Sequence, residues 1–151
     1  MAERGVNVSV VRLPQVHDTR KQGLVTYSIA LAREKGVSAY IGDGLNRWPA
    51  VHLLDAAPVY RLALEKGVAG ARYHAVAEEG VTAREIAEAI GRGLKIPVVS
   101  KSAQEAAAHF GWLGIFAGRD MPASSALTQQ RLGWHPTDKP GLIADLGKVS
   151  Y

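Results

Sequence analysis

Segments with the pattern of strands alternate along this chain with segments that have the pattern of helices, and this alternation constrains the fold most. The segment from Val6 to Leu13 is rich in β-branched residues, alternating at first and then mostly apolar, which is typical of a buried strand. Residues 24–35 carry apolar side chains at helical spacing, and residues 38–41 after them have the composition of a strand. Strands that alternate with helices predict an α/β fold with a parallel sheet.

A charged pair followed by Gly-Val occurs three times, with the glycines at Gly5, Gly36 and Gly67. Charged residues in a last turn with a glycine after it predict the end of a helix. The sequences between these sites do not match, so we interpret the pattern as a helix stop shared by successive α/β units and not as a tandem repeat. Because almost no sequence precedes Gly5, we expect the chain to be part of a longer domain.

Short polar residues predict where other helices begin. Thr82 and Glu85 have the spacing of a capping box, in which the hydroxyl and the carboxylate each satisfy one free backbone N–H. Asp55 is predicted to cap the helix that follows it, with Pro58 in the first turn, where a missing N–H costs little. Ser102 is predicted to start a further helix.

The composition excludes several classes of protein. The sequence has no cysteine, which excludes a disulfide scaffold, a thiolate metal site and a cysteine nucleophile. It has no apolar run of membrane-spanning length and no signal-peptide core, so we expect a cytoplasmic chain with no membrane partner. The net charge is +4, but basic residues stand together only in pairs such as Arg20-Lys21. Nucleic-acid binders cluster their basic residues, so no nucleic-acid partner is expected.

The sequence lacks the fingerprints of several common sites. It has no Gly-x-Ser-x-Gly segment, and no two of its five histidines have the spacing of a shared helix face. Neither a serine hydrolase nor a metal site is therefore expected, although folding could assemble distant metal ligands. Gly42-Asp43-Gly44 lacks the third glycine of a dinucleotide-binding loop, so we interpret it as a turn.

Two segments carry residues suited to ligand binding. The first runs from Val10 to Asp18, where a buried strand leads into a loop with Pro14, since parallel α/β proteins bind ligands at the carboxyl ends of strands. A plain strand exit is the alternative there. The second contains Arg47, Trp48 and His52, where an arginine could hold a carboxylate or phosphate. The alternatives are a surface ion pair for Arg47 and core packing for Trp48.

Four segments of the chain occur in an order found in one known family. They are residues 5–17, residues 48–57 with Val-His-x-x-Asp-x-Ala, residues 72–76 with the following helix, and residues 132–136 with Leu-Gly-Trp-x-Pro. Together they resemble the C-terminal half of an extended short-chain dehydrogenase/reductase of the NAD-dependent epimerase/dehydratase type, over nearly the whole chain.

The resemblance implies an α/β fold that comprises the C-terminal portion of a Rossmann-like parallel sheet and a small mixed α/β substrate-binding lobe. It implies one unit over residues 1–151. Residues 1–20 and 70–95 would belong to the Rossmann sheet, and residues 21–69 and 96–151 to the substrate-binding lobe.

The resemblance also implies site residues. The loop after the first strand would contact the nicotinamide end of NAD or NADP, through Leu13, Pro14, Gln15 and Val16. The substrate-binding residues would be His17, Arg47, Trp48 and His52.

The family's Gly-rich loop and Tyr-x-x-x-Lys pair are absent from this sequence, since no tyrosine is followed by a lysine four residues later. No catalytic residue is therefore assigned, and the cofactor is expected to bind only with a missing N-terminal part.

We therefore expect the substrate-binding half of an NAD(P)-dependent oxidoreductase or epimerase that acts on a small carbonyl, alcohol or sugar. Alone, the chain is not expected to turn over. The strand from Val6 to Leu13 would have an open apolar edge, which favours self-association or pairing with a complementary chain. The alternative is a non-enzymatic α/β module that binds a small ligand or a partner.

Overall fold

The computed structural model describes residues 7–151. The predicted helix end at Gly5 and the predicted strand start at Val6 lie outside the described residues. The strands are β1 (Val10–Arg12), β2 (Gln15–His17), β3 (Ser38–Ile41), β4 (Arg47–His52), β5 (Arg72–His74), β6 (Glu78–Thr82) and β7 (Val98–Lys101). The α-helices are α1 (Leu24–Lys35), α2 (Leu53–Lys66), α3 (Ala83–Leu94), α4 (Ala103–Phe110), α5 (Gly114–Ala117), α6 (Ala126–Leu132) and α7 (Leu142–Leu146), with a 3₁₀ turn at Gly111–Leu113.

The strands form three small sheets. Strand β1 pairs with β5 in parallel, and β3 pairs with β7 in parallel. In the third sheet, β4 lies between β2, which is parallel to it, and β6, which is antiparallel. The predicted α/β class with parallel strand pairing is confirmed.

The strand predicted from Val6 to Leu13 is shorter in the structure, where β1 comprises only Val10–Arg12 of its described residues. A second strand, β2, begins at Gln15 beyond the predicted strand and pairs in a different sheet. Pro14 lies between them, and its ring nitrogen has no hydrogen to donate to a ladder. The chain therefore leaves one sheet and enters another at Leu13-Pro14.

Two of the predicted glycine stops end their helices differently. Helix α1 spans Leu24–Lys35 as predicted and is followed by Gly36 at φ 73°, the left-handed conformation that glycine adopts without strain. Gly67 after α2 has φ −67°. A Cβ atom at Gly67 would lie 2.1 Å from the carbonyl oxygen of Ala63, so close approach excludes a side chain there.

The helix starts follow the predicted caps in part. The Thr82 hydroxyl accepts a hydrogen bond from the N–H of Glu85 at 3.2 Å. Both halves of a capping box are present instead at Ser102, whose hydroxyl and N–H both bond to Glu105. The predicted Asp55 cap is wrong, because the N-cap of α2 is His52, three residues earlier.

Two apolar clusters form most of the core. One lies between α1, β4, α3 and α7, and the other between α2, β5 and α6. A smaller cluster places α4 against α1 and β3. The first cluster includes Trp48, Ile90, Leu142 and Leu146, and the second includes Val59, Tyr73, Leu132 and Trp134.

Among residues 7–151, no helix is long and apolar enough to cross a membrane.

Candidate functional site

Two of the predicted site residues meet where strands β2 and β4 end. His17 is the last residue of β2, His52 is the last residue of β4, and the two are paired in the parallel register. Their ring centroids are 5.5 Å apart, with the planes nearly perpendicular. Parallel strands thus bring both histidines to one sheet edge, where α/β proteins bind ligands.

A buried carboxylate lies between the two rings. The Oδ2 atom of Asp145, on helix α7, is 2.6 Å from His17 Nδ1 and 3.7 Å from His52 Nε2. Asp145 and His17 are each only 1% exposed. The contact joins residues 128 positions apart in the sequence. No motif indicated Asp145, and the one available signal was an acidic residue within the short apolar helix at the end of the chain.

The other nitrogen of His17 faces a second acid. Glu78 Oε1 is 3.9 Å from His17 Nε2, which is too far for a hydrogen bond. That oxygen instead accepts the N–H of Leu142, the first residue of α7, at 2.7 Å. Among the residues that the structure describes, His17 Nε2 is buried without a hydrogen-bond partner.

His52 is the last residue of β4 and also caps the start of helix α2. Its Nδ1 atom accepts a hydrogen bond from the N–H of Leu54 at 3.1 Å, so His52 is the N-cap of the helix. A neutral imidazole that accepts at Nδ1 carries its proton on Nε2. The His52 proton therefore points toward Asp145.

An open cleft of about 390 Å³ lies beside His17 and is bordered by the start of α2. One wall is a tight turn at Asp18, whose carboxylate accepts the N–H groups of Lys21 and Arg20 at 2.9 and 2.7 Å. These two hydrogen bonds lower the pKa of Asp18, so the turn holds a negative charge in place. The cleft is lined by Val16, His17, Asp18, Arg20, Lys21, Gly23 and Leu53.

The predicted cofactor residues lie in different surroundings. Leu13 is 49% exposed, and Pro14 and Val16 are partly buried. Gln15 is buried, and its side-chain oxygen accepts the N–H of Leu24 at 2.7 Å, which satisfies a free donor at the start of α1. The Gln15 side chain is thus engaged within the fold.

Arg47 and Trp48 lie at the opposite end of β4 from His52. Five residue steps along a strand span about 16 Å. The Arg47 guanidinium pairs with the exposed Asp120 at 3.1 Å, which lowers the pKa of Asp120 and raises that of Arg47. Trp48 is 4% exposed and packs in the core. The structure therefore does not bring these two residues together with the histidines.

Two segments that carry the family resemblance contact each other. The Trp134 ring nitrogen donates to the carbonyl oxygen of Asp55 at 2.9 Å. The Asp55 carboxylate accepts the hydroxyl and the N–H of Thr137 at 2.6 and 3.0 Å. Both segments therefore fix the start of α2 and with it the position of His52. Residues 7–151 hold no group of three His, Asp or Glu side chains arranged to bind a metal ion.

No family model matches the sequence. An uncharacterized protein of Schizosaccharomyces pombe is 54% identical over 151 residues, which cover 99% of this chain and 51% of that protein. The chain thus spans about half the length of this relative.

Two solved structures are similar in fold. A dTDP-glucose 4,6-dehydratase from Streptomyces venezuelae, with NAD bound, has a TM-score of 0.67 at 20% identity over 97% of this chain and 43% of its own. A UDP-glucose 4-epimerase from Thermotoga maritima, with UDP-glucose, has a TM-score of 0.66 at 20% identity over 97% of this chain and 46% of its own. The chain has the α/β, Rossmann-like fold of these proteins.

Proposed function

We propose that this chain supplies the substrate-binding half of an NAD(P)-dependent oxidoreductase or epimerase of the extended short-chain dehydrogenase/reductase type. Its substrate would be a small carbonyl, alcohol or sugar. The observation that carries the proposal is the pair His17 and His52, side by side at the ends of two parallel strands beside an open cleft. Two proteins of similar fold support it, a dTDP-glucose 4,6-dehydratase with NAD bound and a UDP-glucose 4-epimerase with UDP-glucose.

The loop between β1 and β2 fits one end of a dinucleotide. Leu13 offers an exposed apolar side chain there, and Pro14 holds the loop rigid. These residues, with Val16, are suited to a flat nicotinamide ring, whereas Gln15 acts by holding the loop to α1. When bound, NAD or NADP supplies the group that accepts or donates hydride.

A second polypeptide segment would be needed to bind the pyrophosphate of the cofactor. The sequence has no Gly-rich loop and no Tyr-x-x-x-Lys pair. We therefore infer that the chain alone neither holds the cofactor nor turns over, and that a complementary segment supplies both elements.

The division into sheet and substrate lobe belongs to the same proposal. The β1–β5 pair represents the Rossmann sheet, within residues 1–20 and 70–95. The β3–β7 pair and α4 represent the substrate lobe, within residues 21–69 and 96–151. Helix α3 packs against β6 and also against β3, so it joins the two parts.

The complementary segment has a surface to bind. Strand β1 pairs only with β5 among the described strands, and Val10 on it is 47% exposed. Helix α2 adds exposed apolar side chains at Leu53, Tyr60 and Leu64, spaced as on one helical face. An unpaired strand edge and an apolar helix face both favour association. We propose that a complementary chain covers them, and that the isolated chain self-associates through them.

Co-expression tests the proposal. The partner would be the part of the Schizosaccharomyces pombe relative that lies outside its alignment with this chain. We expect the two polypeptides to purify together and to bind NADH or NADPH, as measured by nucleotide fluorescence, and we expect neither nucleotide to bind the chain alone. Binding by the chain alone, or a stable complex that binds neither nucleotide, would contradict the proposal.

Leu64→Asp is the sharpest variant for this experiment. Leu64 is 87% exposed, so its replacement leaves the fold of the chain intact while placing a charge on the helix face. We expect the variant to lose the complex. Leu127→Asp is the matched control, because Leu127 is also an exposed leucine, 62% exposed, but lies on α6. An equal loss of complex in both variants would count against the α2 surface.

A further inference from the structure

The carboxylate of Asp145 contacts both histidines of the candidate site. It lies 2.6 Å from His17 Nδ1 and 3.7 Å from His52 Nε2 through the same oxygen atom. It reaches them from α7, a helix whose Leu142 and Leu146 are completely buried in the larger core cluster. The position of the carboxylate is therefore set by core packing.

The contacts of each ring indicate where its proton lies. A carboxylate 2.6 Å from His17 Nδ1 accepts a hydrogen bond from that nitrogen, so His17 carries hydrogen on Nδ1. The backbone N–H of Leu54 occupies His52 Nδ1, so His52 carries hydrogen on Nε2. The two adjacent histidines are thus held in opposite tautomers, one by a side chain and the other by the backbone.

The tautomer of His17 determines what the ring offers. With hydrogen on Nδ1, a neutral His17 has its free electron pair on Nε2, the nitrogen that has no hydrogen-bond partner among the described residues. That nitrogen is buried and lies 3.9 Å from Glu78 Oε1, so the tautomer decides whether His17 presents an electron pair or a hydrogen to the Glu78 carboxylate.

We propose that Asp145 is a positioning residue of the substrate site, which fixes the Nδ1–H tautomer of His17 and keeps the His17 and His52 rings side by side. The inference rests on the proposed function only in taking the cleft beside His17 as the substrate site. The residue acts through the two histidines, since its carboxylate contacts both rings and it does not line the cleft.

The tautomers can be measured on the 151-residue chain itself. Long-range ¹H–¹⁵N correlation spectra of the imidazole rings distinguish Nδ1–H from Nε2–H. In the wild-type chain at neutral pH we expect His17 in the Nδ1–H form and His52 in the Nε2–H form. Observation of His17 in the Nε2–H form would overturn the proposal without any variant.

The variant Asp145→Ala tests whether the Asp145 carboxylate fixes the tautomer of His17. Without the carboxylate, we expect His17 to lose its single Nδ1–H form and to populate Nε2–H, the form that predominates in free histidine. His52 should keep Nε2–H, because the backbone of Leu54 still binds its Nδ1, and it serves as an internal control. An unchanged His17 spectrum in a folded variant would overturn the proposal.

Asp55→Ala is the matched control for loss of a buried carboxylate. Asp55 is 3% exposed, and its carboxylate bonds to Thr137 and to neither imidazole ring. We expect this variant to lose stability and to shift the His52 signals, because Asp55 helps to position the start of α2, but to leave His17 in the Nδ1–H form. A His17 tautomer change equal to that of Asp145→Ala would mean that general loosening is the cause, and the proposal would fail.

The two proposals fail separately. The imidazole spectra require neither cofactor nor complementary chain, so a chain that never binds NADH leaves the Asp145 result intact. If a complex binds NADH while His17 is in the Nε2–H form, the proposed role of Asp145 is contradicted and the proposed function is not.

Discussion

The two ends of strand β4 carry polar residues in opposite environments. At the carboxyl end, His52 meets His17 and the buried Asp145. At the amino end, the exposed Arg47 meets the equally exposed Asp120. Both contacts bring a basic side chain close to a carboxylate, but only the first contact is buried away from water.

The difference shows why contact distance alone does not identify a site. In water, an ion pair gains little because solvent screens the charges and the long side chains lose freedom. In the interior, an unpaired polar group costs free energy, so each buried polar contact has a strong effect on the fold. The following variants measure the contrast between the two ends.

We expect the largest effect from Trp48→Ala, near the amino end of β4. Trp48 is 4% exposed within the main core cluster, and truncation of a buried aromatic ring costs about 4 kcal/mol. Urea unfolding followed by circular dichroism measures the loss. Trp112→Ala is the control, because Trp112 is 57% exposed and should lose far less. Equal losses would contradict the core assignment of Trp48.

Asp145→Ala should have the second largest effect. The variant leaves the His17 Nδ1 donor buried without its acceptor, which costs about 3 kcal/mol when the missing group is charged. The same urea unfolding experiment applies. Asp120→Ala is the comparison at the exposed end of β4, and we expect its unfolding midpoint to stay close to that of the wild type. A midpoint shift as large as that of Asp145→Ala would remove the contrast between the two ends.

His52→Ala should have a smaller effect on stability. It removes the N-cap acceptor of α2, and loss of a side-chain cap costs about 1 kcal/mol. His52→Asn keeps a side-chain acceptor at the cap, so we expect it to recover most of the loss. If both variants are equally destabilised, the ring matters through its contact with Asp145 and not through the cap.

The smallest effect should come from Arg47→Ala, and it should depend on pH. Arg47 lowers the pKa of Asp120 below its ordinary value of 3.8. A carboxyl group whose pKa is lower in the folded state stabilises the protein above its unfolded pKa, and this contribution disappears as the pH falls through the folded value.

Any stability difference between wild type and Arg47→Ala should therefore be present at neutral pH, decrease as the pH falls below 3.8, and be absent once the pH is below the lowered pKa of Asp120 in the folded state. Thermal unfolding at a series of pH values provides the measurement. A difference that persists in acid would show that the arginine contributes through packing and not through the ion pair.

The sequence predicted helices well where residues near one another in the chain determine them. Leu24–Lys35 is helical over the predicted range, and Gly36 ends it in the expected left-handed conformation. The sequence was less informative at α2, where a cap at Asp55 was expected and His52 performs that role. Asp55 instead accepts from Thr137, a long-range partner that no local pattern could indicate.

The candidate site was predicted in part. His17 and His52 lie side by side, because the parallel register of β2 and β4 aligns their last residues. Arg47 and Trp48 were expected in the same site, but a six-residue strand carries them to its far end. Asp145 was not predicted, because its contact with His17 depends on the docking of a helix from the other end of the chain.

The sequence by itself determined the α/β class, the limits of α1 and the absence of a dinucleotide-binding loop, because each depends on the order of residues near one another. Only the tertiary structure decided which polar residues share a site. Burial of Leu142 and Leu146 in the core brings Asp145 to the two histidines, whereas Arg47 remains in water with Asp120. The physical reason is that packing of apolar side chains places the polar groups attached to the same elements, and such packing joins residues from distant parts of the chain.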